Sequence, residues 1–261
     1  MRAAFLAIVT LLPVAWAQDA APSAQNLAAR LTTAMQDGSS SVRLKMEIQR
    51  PAGGPKTVLQ LQVKARRTKS GTDLIYSVLW PRDRKGECFL LRNPADRAPS
   101  GTLFSPPDSL RPIASSQMKE PVFGSDLSYE DLVENFFAWG QQAIVGTETV
   151  DRVPCQILES KPDKGERSAY SKVRSWIDVK RMVPLRVEKY SASGQLARRI
   201  DTTRVAKDDK DRLVPASLLV RRPGQDSVTE IEGSNSRHDV TYSDGDFTSD
   251  ALRELAGSKS K

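Results

Sequence analysis

Hydrophobic and polar residues alternate strictly along "SVRLKMEIQR": Val42, Leu44, Met46 and Ile48 interleave with Arg43, Lys45, Glu47 and Gln49. A period of two puts each set on its own face of an extended chain, so the stretch predicts a half-buried strand. "PAGGPK" turns the chain, and "TVLQLQVKA" repeats the alternation with Leu59, Leu61, Val63 and Ala65. Two alternating runs around a Gly/Pro loop predict a hairpin. The pattern continues through "TDLIYSVLWP", "GECFLLRN", "GTLFSP", "QAIVGTETV", "VPCQILES", "YSKVRSWIDV", "MVPLRVEKYS", "QLARRIDTTRVA", "RLVPASLLVRR", "SVTEIEG" and "RHDVTYS". Turn signals such as "ASG", "KDDKD", "RPGQD" and "SDGD" separate these runs. Pro81, Pro184 and Pro215 fall at or near strand ends, where a missing N–H does least harm.

Three stretches carry a helical period instead. "SAQNLAARLTTAM" (23–35) repeats Leu27, Leu31 and Met35 on one face, and "DFTSDALRELAG" predicts a short helix near the end. The third lies mid-chain, in "FGSDLSYEDLVENFFAWG" (123–140). Ser128, with Asp131 three residues on and an apolar run behind it, has the form of a capping box. Glu130 and Asp131 favour the positive end of the helix dipole. Tyr129, Leu132, Val133, Phe136 and Phe137 would share one stripe, with Gly140 as the residue that ends the helix. Scaffolding therefore accounts for this acidic cluster. The segment from Asn93 to Met118 is the least regular, and no linker divides the chain. The expected fold is mainly β with a few helices (α+β): a single curled antiparallel sheet whose inner face something apolar must cover.

The amino terminus changes the picture of where this domain works. "MRAAFLAIVTLLPVAWA" has one basic residue, a short apolar run and Ala15-Trp16-Ala17, the layout of a signal peptide (1–17) cleaved after Ala17. The run is shorter than the roughly 20 residues a bilayer span needs. One domain is then expected over 18–256, with a disordered basic tail over 257–261 and a periplasmic location. In that oxidising setting Cys88 and Cys155 would either pair as a disulfide or serve as small core residues within their apolar runs. The formal charge of +7 favours acidic partners or transient contact with anionic membrane surfaces. Its basic residues are scattered without interleaved aromatics, which argues against nucleic acid.

Catalytic signatures are missing. The one histidine, His238, is followed by Asp239, but neighbours on a strand point to opposite faces, and a solvated histidine is the simpler reading. No G-x-S-x-G, Gly-rich phosphate loop or metal-ligand spacing occurs, so neither an enzyme nor a cofactor is expected. Trp176 is odd, because it shares the polar face of its strand with Arg174 and Asp178. It marks either a second covered surface or a neighbour packed over it.

The motif at Gly124, Ser125, Asp126, Ser128, Tyr129, Glu130, Asp131 and Leu132, with "LRPI" before it and "VPCQILES" and "SWIDVKRMVPLRVEKYSASGQL" after it, resembles the outer-membrane lipoprotein-sorting protein family. Those proteins are relatives of the Lol lipoprotein carriers, and the likeness runs from about Met46 to the end. It implies an incomplete β-barrel closed by short helices, with acyl chains held between. Trp80, Phe89, Leu91, Tyr129, Leu132, Phe136, Phe137 and Trp139 are the candidates for cavity wall or lid. Where the family has an aromatic-rich segment before its motif, this chain reads "GTLFSPPDSLRPI", with no tryptophan. The function expected is a carrier that moves or presents lipid or lipoprotein acyl chains between membranes, with an inner-membrane transporter as a possible partner. The alternative is a periplasmic interaction or sensor module, or an accessory of a lipid exporter.

Overall fold

The computed structural model describes residues 23–35, 38–165 and 168–257. The signal peptide and residues 258–261 of the basic tail lie outside them. The described residues contain three α-helices: α1 (Ala24–Met35), α2 (Tyr129–Val133) and α3 (Ser249–Gly257). The strands are β1 (Ser39–Gln49), β2 (Lys56–Thr68), β3 (Gly71–Trp80), β4 (Cys88–Pro94), β5 (Ser100–Ser105), β6 (Ser109–Ile113) and β7 (Gln141–Val150), followed by β8 (Val153–Lys161), β9 (Tyr170–Asp178), β10 (Val183–Ser191), β11 (Leu196–Lys207), β12 (Leu213–Arg221) and β13 (Val228–His238).

All 13 form one antiparallel sheet in the order β6-β5-β4-β3-β2-β1-β13-β12-β11-β10-β9-β8-β7. The sheet is an incomplete barrel whose edges, β6 and β7, are consecutive in the chain yet lie at opposite ends of the strand order. The segment between them, 114–140, therefore has to cross from one edge of the sheet to the other. It packs on the face we call inner.

The inner face is apolar along the strand order. Ala65, Leu74, Phe89, Leu91 and Ile113 meet Met118, Val122, Tyr129 and Val133 of the crossing segment. At the centre, Met46, Ile48, Leu59, Leu61, Val78, Val220 and Ile231 close on Leu127. Toward β7, Leu158, Val173, Ile177 and Val187 meet Phe136, Phe137 and Trp139, with Leu27 and Leu31 of α1. On the outer face, α3 and Phe247 cover Ile75, Cys88, Leu90 and Phe104. A bulge at Leu185 turns Val183 and Leu185 outward onto Val150, Cys155 and Trp176, while Val187 stays inward. Trp176 is buried by these neighbours and donates its indole N–H to Glu148 at 2.8 Å, so neighbours packed over it account for its place on the polar face.

Three expectations change. "GTLFSP" forms β5 as expected, but β6 also stands inside the stretch read as irregular; Pro112 hid β6, and an edge strand tolerates it. "SVTEIEG" and "RHDVTYS" are not two strands: β13 runs unbroken to His238, and no strand follows it among the described residues. Cys88 and Cys155 are free and buried in separate outer-face clusters, so the core-residue alternative holds and the disulfide does not.

Candidate functional site

The crossing segment is built from short pieces. Phe123 and Gly124 both take positive φ (53° and 85°), which reverses the chain ahead of the helix. Asp126, fully buried, accepts hydrogen bonds from Ser227 Oγ at 2.5 Å and Thr229 Oγ1 at 2.7 Å, and so pins the segment to β13 and the turn before it. The capping box forms: Ser128 Oγ accepts from the Asp131 amide at 3.3 Å, and Asp131 accepts from the Ser128 amide at 2.8 Å.

The helix does not continue through Trp139 as its apolar spacing suggested. Glu134 leaves the helical region (φ −74°, ψ 126°), and Phe136–Ala138 form a separate 3-10 turn. The break lets one short segment serve two cores. Tyr129 and Val133 face the β2–β4 side, and Phe136, Phe137 and Trp139 face α1 and the β8–β10 side. Gly140 has no left-handed φ and ends no helix; a side chain there would collide with the Asp163 carboxylate.

Asp131 does more than cap. Its carboxylate, with no exposed area, also accepts from Tyr170 Oη at 2.7 Å, Lys189 Nζ at 2.8 Å and Arg198 Nε at 3.0 Å. Lys189 and Arg198 are direct cross-strand partners on β10 and β11. Two adjacent buried cations repel, and the arrangement persists only because an anion is set between them. Burial by itself would raise the Asp131 pKa; Lys189 and Arg198 outweigh it and hold the carboxyl below the usual range. Glu134, 3.6 Å from Lys189 and bonded to Ser168, is pushed up by burial against the pull of Lys189. The Tyr170 hydroxyl is raised by burial and by the Asp131 charge.

Alongside α2 a cleft of about 670 Å³ opens between the crossing segment and the β4–β5 loop. Leu132, Val133, Ala138 and Trp139 line one wall; Arg67, Thr72 and residues 93–99 line the other. Its size falls within the range of small-molecule sites. Of the eight expected wall and lid residues, Leu132 and Trp139 reach this cleft. Phe89, Leu91, Tyr129, Phe136 and Phe137 are buried beneath the segment. Trp80 stands apart, 49% exposed at the far end of β3.

His238 is not the solvated histidine expected. Its ring is held by Asp209, with Asp208 3.9 Å away, and Asp239 pairs with Lys210 instead. Asp208, Asp209 and His238 are close enough to hold a metal. Asp208, however, already accepts from the Arg212 guanidinium and from the Lys210 and Arg212 amides. Sequence reasoning missed Lys189 and Arg198. The available signal was the alternation in "VPLRVEKYS", which sets Lys189 on the same face as Val187. Among the described residues no helix is long and apolar enough to cross a membrane.

A family model described as "Uncharacterized protein" matches residues 71–254. The chain belongs to that family. No curated protein matches it. Among solved structures, a DUF1329 family protein from Desulfovibrio piger is 25% identical, with a TM-score of 0.80 over 88% of this chain and 97% of its own. A putative outer membrane lipoprotein-sorting protein domain from Vibrio parahaemolyticus is 21% identical, with a TM-score of 0.78 over 88% and 98%. A LolA superfamily protein from Nitrosomonas europaea is 18% identical, with a TM-score of 0.71 over 88% and 100%. The family member thus has the fold of the Lol carriers, as its motif implied.

Proposed function

We propose that this protein is a non-enzymatic periplasmic carrier that holds acyl chains of a lipid or lipoprotein against the inner face of its sheet and moves or presents them between membranes. One observation carries the reading. An apolar face running along the strand order is covered mainly by a crossing segment whose helical pieces are five residues or shorter, and a cleft opens beside it. Helices that short have little stability of their own, so the cover depends on its contacts with the sheet. Bringing a chain of about 16 carbons into water costs on the order of 0.8 kcal/mol per CH₂, more than ten in all. Passage from one apolar surface to another avoids most of that cost, and the chemistry demands no nucleophile or general base. Phe89, Leu91, Tyr129, Leu132, Phe136, Phe137 and Trp139 are the residues we assign to the chain-binding surface and its cover. Donor and acceptor are membranes, or an inner-membrane transporter acting on one of them.

Native mass spectrometry of the mature protein purified from a periplasm tests this. Co-purification of a long-chain species is expected, and its extraction names the cargo. A clean apo mass, unchanged after incubation with vesicles and lipoproteins, would overturn the reading.

A further inference from the structure

Arg66 and Arg67 are neighbours on β2 and therefore point to opposite faces. Outward, Arg66 is fully engaged: it bonds Asp73 at 2.8 Å and Asp244 at 2.7 Å, and lies 4.8 Å over the Phe247 ring. Inward, Arg67 continues the apolar row of Leu61, Val63 and Ala65 and lines the cleft beside α2. It is half-buried, and among the described residues no carboxylate, carbonyl or hydroxyl receives its guanidinium. Glu130 and Glu134, the acids of the crossing segment that line the same cleft, are turned to the Ala169 amide and to Ser168 and Lys189. Asp96, on the opposite loop, pairs with Arg97. Burial pushes the Arg67 guanidinium down, and what opposes that is the phenol of Tyr76.

Tyr76 is the second observation. It lies on the inner face of β3, stacked on Phe89 with ring centroids 5.1 Å apart, and packs against both the Phe89 cluster and the central cluster. Its hydroxyl also has no hydrogen-bond partner among the described residues. Arg67 lines the cleft together with Thr68, Lys69, Thr72 and Asn93, and Tyr76 stands two inward positions further along the same face, opposite Val63; among the described residues neither side chain's donors are taken. Both side chains are half-buried, so these donors are open to water or to a ligand's oxyanion.

Resting on the carrier reading above, we propose that Arg67 and Tyr76 form the polar end of the chain-binding site and receive the oxyanion of an anionic amphiphile. The head group, a carboxylate or a phosphate, takes the guanidinium fork and the Tyr76 O–H. The chain continues beneath α2 along Phe89, Leu91 and Leu132. A guanidinium matches either oxyanion through paired N–H donors. An acyl group esterified in a neutral head offers it no charge, so the site distinguishes free anionic lipids from the acyl chains of a lipoprotein.

Titration of the mature protein with three probes that share one chain tests this. Oleate carries a carboxylate, 1-oleoyl lysophosphatidate a phosphate, and methyl oleate neither. At least one of the two anions should bind about tenfold to a hundredfold tighter than methyl oleate, and which of them does so names the head group. Arg67→Gln should erase that preference and leave methyl oleate affinity unchanged, while Arg67→Lys retains part of it. Tyr76→Phe should weaken the preferred anion several-fold without altering the ester, provided its thermal midpoint matches wild type. Equal binding of charged and uncharged chains by wild type, or a preference that survives Arg67→Gln, overturns the head-group assignment and leaves the carrier reading standing. No binding of any probe overturns both.

Discussion

The inner face carries cations in two places, buried in one and half-buried in the other, and the protein treats them differently. On the β10–β11 side, Lys189 and Arg198 stand side by side and share Asp131, with Glu134 and Tyr170 completing the group. On the β2–β3 side, Arg67 faces the cleft, and among the described residues none of the acids lining it pairs with its guanidinium. A chain that can place one carboxylate between two cations shows what structural charge burial looks like. The site that lacks such a partner is the one where an anion from outside would find donors waiting. The two also differ in position. The Asp131 group is sealed beneath the segment and ties it to three strands, whereas Arg67 lies at the open side of the same segment.

The largest break in this comparison should come from Asp131→Asn. It leaves Lys189 and Arg198 buried against each other, and removing one partner from such a group costs about 3–5 kcal/mol. Chemical denaturation should report a loss of that size. A loss under about 1 kcal/mol would mean that the segment is held by its apolar contacts and that the charges are incidental.

Acid should act through the same carboxylate. Unfolded, Asp131 takes up a proton near pH 4; folded, it resists until well below that, because Lys189 and Arg198 favour its charged form. The unfolded state therefore binds more protons as pH falls, and the stability contributed by Asp131 is complete above about pH 4 and lost below it. Glu134 has the opposite sign: its raised pKa contributes stability at low pH that is lost as pH rises through the folded value. Denaturation of wild type and Asp131→Asn between pH 2 and 7 should show their gap narrowing below about pH 4. A gap that stays constant would remove Asp131 from the account.

The two thiols can localise the damage. Cys88, under α3, is pushed up to about 12 by burial, and Cys155, beside Trp176, is also raised by burial. Neither should react with iodoacetamide in the native protein, and both should react in denaturant. In Asp131→Asn, Cys155 should label before Cys88, because β8 lies next to the strands that Asp131 ties together. Labelling in the reverse order would place the weakened side at β3–β5.

What the sequence made legible follows from the range of each interaction. Alternation over three or four residues located nearly every strand, and the capping box located the start of α2 to the residue, because both are local patterns. Long-range consequences were not readable. The apolar spacing of Tyr129, Val133 and Phe136 satisfies a continuous helix, yet the two edges of the sheet require the segment to break and face two cores. Asp131 looked sufficient as a cap, and its charged partners lie 58 and 67 residues away. Trp80 belonged to the aromatic set by composition, but its place at the end of β3 leaves it half-exposed. At the cleft, Leu132 and Trp139 were nameable from their helix, while Arg67 was passed over as one of many scattered basic residues.

The smallest effect is the most discriminating. If Arg67 serves a ligand and not the fold, Arg67→Gln in the ligand-free protein should leave stability within about 0.5 kcal/mol of wild type, or raise it by up to about 1 kcal/mol. The reason is desolvation: a half-buried guanidinium without a partner loses hydration and regains nothing from the protein, and an amide of similar reach loses less. Lys189→Gln removes the same unit of charge from the same face and should be strongly destabilising, because it leaves the Asp131 and Glu134 carboxylates short of a buried cation. Stability measured on both variants under one set of conditions puts the comparison on a single scale. If Arg67→Gln instead costs more than about 2 kcal/mol, Arg67 is a structural cation like the other two, and the contrast between the two sides of the inner face disappears.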